Sequence, residues 1–208
     1  MPIRIESRHL NGLLVLVPDV YEDERGFFLE VFRADQFAEL GLPDHFPQAN
    51  QSHSRRGVIR GLHFQWQPPQ GKLMRVACGR ALLVAVDIRP GSPTLGQWHG
   101  IEVDAAQPRL VWAPAGFARG FCVRSESADI HYLCSAVYNP RSEAGLVWND
   151  PDIGIDWGCA APLLSPKDRQ AFTLAQWLKK PSSRQFRYPD RGISQKKRPG
   201  NRPPPATK

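Results

Sequence analysis

Short apolar runs, separated by Gly, Pro and Asp, recur along most of the chain and predict its strands. Their length and spacing favour β-strands over helices. In one run Val84, Val86 and Ile88 alternate with Ala85 and Asp87, as expected for one buried face of an antiparallel sheet. The ten runs cover residues 13–17, 27–32, 58–64, 73–78, 81–88, 98–103, 109–112, 117–123, 130–137 and 145–148. Strands of this number and length predict a β-sandwich or β-barrel.

Two short segments carry helix signals instead. Asp35 precedes the apolar residues of 36–40, and Gly41 follows as a stop signal. Ser165 and Pro166 open the second segment, which runs toward residue 172. Because both are short and no β-α-β alternation appears, we expect an all-β jelly roll, a double-sheet β-barrel with a few short helices.

Composition narrows the domain organisation. A chain of 208 residues with 41% hydrophobic residues is suited to one compact domain. Its net charge of +7 is concentrated in residues 179–208, where ten Lys and Arg accompany a single acid, Asp190. We therefore expect a jelly-roll domain over 1–178 and a basic, Pro-rich, largely disordered tail over 179–208. Such a tail leaves nucleic-acid binding open, but its composition favours a solvated extension.

Cysteine usage and hydropathy point to a cellular compartment. Cys78, Cys122, Cys134 and Cys159 show no C-x-x-C spacing, so we expect free thiols in a reducing compartment. The first residues lack the apolar run of a signal peptide, and no stretch approaches the roughly 20 apolar residues of a membrane span. These patterns predict a cytoplasmic protein without a membrane partner.

The densest polar segment spans residues 48–65 and precedes Lys72 by a few residues. On a regular strand, alternation would place Arg60 and His63 on opposite faces. Gly57 and Gly61 permit a bulge that would bring them together, so both residues are site candidates.

A metal site is one alternative for these residues, because barrels of this kind often bind metals through two His separated by one residue and a later His. Here His63 is followed by Phe64 and Gln65, and the later turn carries Arg119. A guanidinium cannot lose its proton to ligate a metal. The sequence therefore predicts that no metal is bound.

Several motifs in order resemble the dTDP-4-dehydrorhamnose 3,5-epimerase family, a group of cupin-type jelly rolls. The motifs are DERGFFLE at 23–30, QAN at 48–50, RGLH at 60–63, VDIRPGSPT at 86–94, PAGFA at 114–118, Tyr132, YNP at 138–140, Glu143, WNDP at 148–151 and SPKD at 165–168. The resemblance covers most of the chain, and the order of many motifs makes it far more specific than any one of them.

The resemblance implies proton-transfer chemistry next to a sugar ketone, with no redox cofactor or metal. His63 would be the base and Tyr132 the acid, while Asp168 orients His63. Lys72 would stabilise the enolate oxygen.

The resemblance also implies a set of nucleotide contacts. Arg25 and Arg60 would bind the diphosphate. The further substrate-binding candidates are Glu30, Gln48 and Asn50 at the nucleoside, Tyr138 stacked on the thymine, and Glu143 and Lys167.

Each assignment has a structural alternative. Asp168 lies three residues after Ser165 and fits a helix-capping box. Tyr132 and Tyr138 fit half-buried packing on a strand, and Lys72 fits an exposed loop. Arg25 and Glu30 fit a cross-strand ion pair.

Two residues depart from the family pattern. Arg119 stands where the family has His, and Leu83 stands where it commonly has Asp. Both changes would make the pocket more positive and favour an anionic enolate or a phosphate. Arg119 is therefore a substrate-binding candidate. The same two changes also raise an alternative to epimerisation at both C3 and C5, namely that the protein inverts only one of these carbons.

The sequence thus predicts an isomerase that inverts C3 and C5 of a dTDP-4-keto-6-deoxy-hexose in dTDP-rhamnose-type biosynthesis, acting as a homodimer without a cofactor. The alternatives are a mono-epimerase acting at C3 or C5 only, and a non-catalytic barrel that binds sugar nucleotides.

Overall fold

Two antiparallel sheets pack face to face in the computed structural model, which describes residues 2–188. The first sheet has six strands, in the spatial order β1 (Ile3–His9), β2 (Leu13–Pro18), β10 (Leu110–Ala113), β7 (Lys72–Cys78), β12 (Ser127–Cys134) and β5 (Gln48–Arg55). The second has five, in the order β13 (Glu143–Gly145), β6 (Ile59–Gln65), β11 (Phe117–Val123), β8 (Arg80–Asp87) and β9 (Trp98–Asp104). The expected all-β, cupin-type jelly roll is confirmed.

The remaining elements lie outside the two sheets. They are the hairpin of β3 (Val20–Asp23) and β4 (Gly26–Leu29), the helices α1 (Ala34–Glu39), α2 (Pro166–Arg169) and α3 (Leu174–Leu178), and 3₁₀ turns at Pro140–Ser142 and Pro181–Phe186. Asp35 lies inside the first turn of α1 rather than before it, because the helix begins at Ala34. Among residues 2–188, no helix has the length and apolar character needed to cross a membrane.

Strand β8 is buried on both faces, whereas its alternation predicted one buried face. Val84 and Val86 face a cluster that includes Trp177 of α3. Leu83 and Ala85 face the interior of the barrel. The C-terminal segment therefore covers the outer face of the five-stranded sheet, which one strand's pattern alone does not reveal.

The folded body continues beyond residue 178, where the tail was expected to begin. Phe186 is buried in the 3₁₀ turn, with its ring 6.1 Å from that of Phe64 and 6.3 Å from that of Trp177. Most of the predicted basic tail, from residue 189 onward, lies outside the described residues.

The bulge predicted on β6 occurs at Gly61. Against β11, His63 pairs with Arg119 and Arg60 with Phe121, so β6 has one extra residue between the two pairs. Gly61 has a φ of +132°, and a Cβ atom there would lie 2.5 Å from the Cα of Gly120. Only glycine fits this position, and the extra residue places Arg60 and His63 beside the same cavity.

We predict that Gly61→Ala destabilises the protein more than Gly26→Ala. Both glycines have a positive φ, but a Cβ at Gly26 would meet no atom within 4 Å. The Gly26 variant therefore carries backbone strain alone, whereas the Gly61 variant adds a backbone clash of about 1–3 kcal/mol. Urea unfolding of both variants measures the difference, and equal losses of unfolding free energy would show that the approach of β6 to β11 is not constrained.

Candidate active site

The register of the six-stranded sheet brings polar side chains into rows. Across β5, β12 and β7, Gln48 pairs with Cys134 and Cys134 with Lys72. In the next row, Asn50 pairs with Tyr132. Because alternate residues of a strand share a face, these side chains point into the barrel together.

The five-stranded sheet presents a matching row on the other side. His63 of β6 pairs with Arg119 of β11 and with Gly145 of β13. His63 and Arg119 are therefore neighbours on one sheet and lie opposite Lys72 and Tyr132 of the other sheet.

Two adjacent chambers, here called outer and inner, lie between these rows. The outer chamber has a volume of about 320 Å³ and the inner one about 160 Å³. His63, Lys72 and Tyr132 line both chambers. The three side chains thus lie where the two chambers adjoin, a region here called the passage, and a molecule bound there could contact all of them.

His63 is held by a buried carboxylate. Its Nε2 lies 2.6 Å from Oδ1 of Asp168, which is 4% exposed. Burial favours the neutral acid, but the hydrogen bond and charge of His63, with donors from Ser165 and the Gly61 backbone, hold the pKa of Asp168 below its usual range. Asp168 therefore remains an anion that can orient the imidazole.

The capping alternative for Asp168 is compatible with this contact. The backbone N–H of Asp168 donates to Ser165 Oγ at the start of α2, at 3.1 Å. The cap thus positions the backbone of α2 while the carboxylate remains free to reach His63.

Lys72 and Tyr132 form the opposite wall of the passage. The Lys72 ammonium lies 4.9 Å from the centre of the Tyr132 ring. Burial, aided by the charge of Arg119, lowers the pKa of Lys72 to about 8, and burial raises the pKa of Tyr132 despite the charge of Arg60. Lys72 is a strand residue of the cavity, so the exposed-loop alternative is wrong.

Four of the nine substrate-binding candidates lie around the outer chamber. Gln48, Asn50, Tyr138 and Glu143 line it. The backbone N–H of Tyr138 donates to the Gln48 side chain at 2.7 Å. Tyr138 is half exposed and so presents a ring at the mouth of the chamber.

Arg60 and Lys167 line a neighbouring groove that also includes His63 and Asp168. Lys167 forms an ion pair with Glu143, which connects the groove to the outer chamber. Lys167 therefore lies beside the catalytic candidates and outside both chambers, whereas Arg60 lines both the groove and the inner chamber.

Arg25 and Glu30 do not line either chamber of their own chain. Arg25 is exposed in the β3–β4 hairpin and pairs with Asp23, while Glu30 lies 3.7 Å from Arg33. The ion pair between Arg25 and Glu30 considered as an alternative is therefore wrong.

The two departures from the family pattern have different surroundings. Arg119 is 3% exposed and lines the inner chamber. Leu83 is fully buried in the apolar cluster that includes Phe121 and lines neither chamber. Only Arg119 makes the cavity more positive, so that expectation is wrong for Leu83.

Further lining residues were not singled out from the sequence. Ser52, Gln70 and Cys134 line one chamber or the other. Gln48, Asn50 and Ser52 are alternate residues of β5, so they share one face of the strand. If β5 had been predicted as a strand, this alternation would have indicated Ser52 as a lining residue. Within residues 2–188, no three His, Cys, Asp or Glu side chains are grouped as metal ligands would be.

Comparison with known proteins identifies the family. The family model described as dTDP-4-dehydrorhamnose 3,5-epimerase matches residues 7–176. A dTDP-4-dehydrorhamnose 3,5-epimerase of Pseudomonas aeruginosa is 48% identical over 168 residues, covering 80% of this chain and 93% of that protein. One of Neisseria gonorrhoeae is also 48% identical, over 183 residues and 88% of this chain, but this chain spans only 55% of its length.

A solved structure agrees with these sequence matches. It is the dTDP-6-deoxy-D-glucose-3,5-epimerase RmlC of Legionella pneumophila in complex with dTDP-4-keto-L-rhamnose. It is 43% identical, with a TM-score of 0.84 over 90% of this chain and all of that chain. On its sequence and its fold, this chain belongs to the dTDP-4-dehydrorhamnose 3,5-epimerase family.

Proposed function

We propose that the protein is an epimerase that inverts C3 and C5 of a dTDP-4-keto-6-deoxy-hexose, in dTDP-rhamnose-type sugar biosynthesis. The observation that carries the proposal is the placement of two proton-transfer groups on opposite sheets around one cavity. His63 with Asp168 lies on one side, and Tyr132 with Lys72 lies on the other. The family and its ligand-bound member support the substrate class.

The chemistry requires this two-sided arrangement. The ketone at C4 acidifies the hydrogens on C3 and C5, so a base can remove one and leave an enolate. Inversion then needs a proton delivered to the opposite face of the ring. A base and an acid on facing sheets meet that need without moving the sugar.

His63 is the base in this proposal. The anionic Asp168 fixes the orientation of its ring and stabilises the imidazolium that forms when the proton is taken. Tyr132 is the acid, and its raised pKa keeps the phenol protonated until it delivers its proton. Lys72 stabilises the negative oxygen of the enolate.

The nucleotide lies in the outer chamber and at its mouth. Gln48 and Asn50 offer amide groups to the nucleoside, and Tyr138 offers an exposed ring on which thymine can stack. Arg60 and Lys167 supply positive charge for the diphosphate, with Glu143 holding Lys167 in place.

Solvent-exchange NMR with dTDP-4-keto-6-deoxyglucose in deuterated water tests the function directly. We expect deuterium at both C3 and C5. Label at one carbon only would instead identify a mono-epimerase, the second candidate, which is favoured by the replacement of the family His by Arg119. A wild-type protein that introduces no label would refute an epimerase.

His63→Asn should lower the exchange rate by about 10²–10⁴ while dTDP binding remains, because only the base is lost. His53→Asn is the matched control, since His53 also pairs with a carboxylate, Asp129 at 2.8 Å, but lies outside both chambers. Exchange and calorimetric dTDP binding are measured for both variants. Unchanged exchange in the His63 variant would remove this residue from the base role.

The rate should fall as the pH rises through about 8. Burial lowers the pKa of Lys72 to that value, so the ammonium that stabilises the enolate is lost above it. Other titratable or charged groups around Lys72 are His63, Arg119, Tyr132, Cys134, Glu143 and Lys167. A profile of kcat/KM against pH measures the effect, and Lys72→Arg, which stays charged, should remove this alkaline limb. A limb at pH 8 in the arginine variant would assign it to another group.

We further propose that the protein is a homodimer that works in the cytoplasm. Phe27 and Phe28 of the β3–β4 hairpin are 61% and 59% exposed, an apolar surface suited to a second copy. Arg25 on the same hairpin is a substrate-binding candidate that does not reach its own chain's cavity, so a partner's cavity would give it a role. The four thiols fit a reducing compartment.

The combined variant Phe27→Ser and Phe28→Ser should shift the protein from the mass of two chains to that of one. Light scattering coupled to gel filtration measures the mass. Val137→Ser is the control, because Val137 is equally exposed (59%) but lies outside the hairpin. A dimer that persists in the double variant would place the interface elsewhere.

A further inference from the structure

The inner chamber is strongly positive. Arg60, Lys72 and Arg119 line it, and no carboxylate does so among the described residues. Its other lining includes the buried apolar side chains of Met74 and Phe121. Charges in such a setting interact more strongly than in bulk water, so the chamber favours an anion.

Arg119 is buried with most of its hydrogen-bonding capacity unused. Nη1 donates to the backbone oxygen of Gln70 at 2.9 Å. Nε and Nη2 are buried and have no hydrogen-bond partner within residues 2–188. Buried donors of this kind are rarely left unpaired, because an unpaired charged donor lowers the stability of the fold.

A second unpaired group faces the same chamber. Ser52 Oγ is buried without a hydrogen-bond partner in the described part of the chain, and Ser52 lines the inner chamber with Arg119. The two residues come from different sheets. Unpaired polar groups from both sheets therefore line the same chamber, which is consistent with a polar atom of a ligand between them.

The site for that atom is close to the proton-transfer groups. Arg119 is the register partner of His63, and its charge contributes to the lowered pKa of Lys72. Burial lowers the pKa of Arg119 to about 10, so the guanidinium is still charged at neutral pH. Two cations from opposite sheets thus converge beside the passage where the sugar ring would lie.

We propose that Arg119 is a catalytic residue that binds the C4 oxygen of the sugar together with Lys72, and that Ser52 completes this oxyanion site. The proposal rests on the proposed epimerase function. Under this proposal, the buried guanidinium of Arg119 stabilises the oxyanion. A His, as in the family pattern, would have fewer hydrogen-bond donors and no permanent charge at this position.

The step balances with these groups. His63 takes a proton from the carbon beside the ketone, the C–H electron pair becomes the C=C bond, and the carbonyl π pair moves onto O4. Arg119 and Lys72 donate hydrogen bonds to the resulting oxyanion. When that electron pair returns to the carbonyl, the carbon takes a proton from Tyr132 on the opposite face, and solvent later restores both groups.

Arg119→Met tests the role because it removes the charge and roughly retains the side-chain length. We expect kcat to fall by about 10²–10³ with dTDP affinity unchanged. We also expect the melting temperature to stay equal or rise, because the variant removes a buried, incompletely paired charge. Arg119→Lys, which keeps a charge but fewer donors, should lose less activity than the methionine variant.

Arg124→Met is the matched control. Arg124 donates through Nε to Glu102 at 2.8 Å and through Nη1 to the backbone oxygen of Trp157, and it does not line the chambers. Its loss should lower the melting temperature and leave kcat unchanged. A catalytic arginine should therefore lower kcat but not the melting temperature when it is replaced, whereas a structural arginine should lower the melting temperature but not kcat.

Three results would overturn the role of Arg119. One is a wild-type kcat in Arg119→Met. Another is a parallel loss of dTDP affinity, which would assign the guanidinium to a phosphate. The third is a lower melting temperature or failure to fold, which would make the residue structural. Solvent exchange by the wild-type protein is measured first, because its absence would refute the proposed epimerase function. If the wild-type protein exchanges and Arg119→Met exchanges equally well, only the role of Arg119 is refuted.

Discussion

The close approach of β6 and β11 at Gly61 and Gly120 determines how the cavity is lined. Because a side chain at Gly61 would collide with the β11 backbone, the two strands can meet there only with glycine in a left-handed conformation. The extra residue in β6 then shifts the alternation between Arg60 and His63. Without that shift, the two residues would point to opposite sides of the sheet, and the base would be separated from the neighbouring cation.

The six-stranded sheet contributes through regular alternation. Lys72 and Tyr132 lie on adjacent strands that pair without interruption from Ile130 to Cys134, so no special backbone geometry is needed to bring them to the cavity. One wall of the site thus depends on the bulge in β6, and the other depends on the regular pairing of β7 with β12. The irregular wall carries the base and its carboxylate, where orientation matters most for proton transfer.

Much of the fold could be predicted because the barrel strands are short apolar runs with clear breaks. The strands that were missed include β5, whose residues are almost all polar. Gln48 and Asn50 face the cavity while the apolar Ala49 between them is exposed, so hydrophobicity carries no signal there. The double burial of β8 was hidden for a related reason, because α3 and the turn after it cover that sheet from a distant part of the sequence.

The placement of site residues could be predicted only where local geometry decides it. The glycines of β6 indicated the bulge, and the Ser165 cap indicated the start of α2. The contact between His63 and Asp168 joins residues 105 positions apart, and it entered the sequence analysis only through the resemblance to a family. The position of Arg25 away from the cavity also depends on tertiary structure, since its pairing with Asp23 follows from a hairpin that composition does not specify.

Arg119 shows how stability and activity can conflict in one side chain. A buried guanidinium with two unpaired donors lowers stability, and an apolar side chain at that position would pack into the barrel without leaving donors unpaired. Local consistency is usually broken in this way at functional sites rather than in the supporting core. The unpaired donors of Arg119 lie beside His63 and Lys72, whereas the buried carboxylate of Asp87, outside the cavity, accepts hydrogen bonds from Arg89, Ser92 and Thr94. The charge of Asp87 is therefore satisfied by its neighbours, whereas the charge of Arg119 has donors left that a substrate oxygen can pair with.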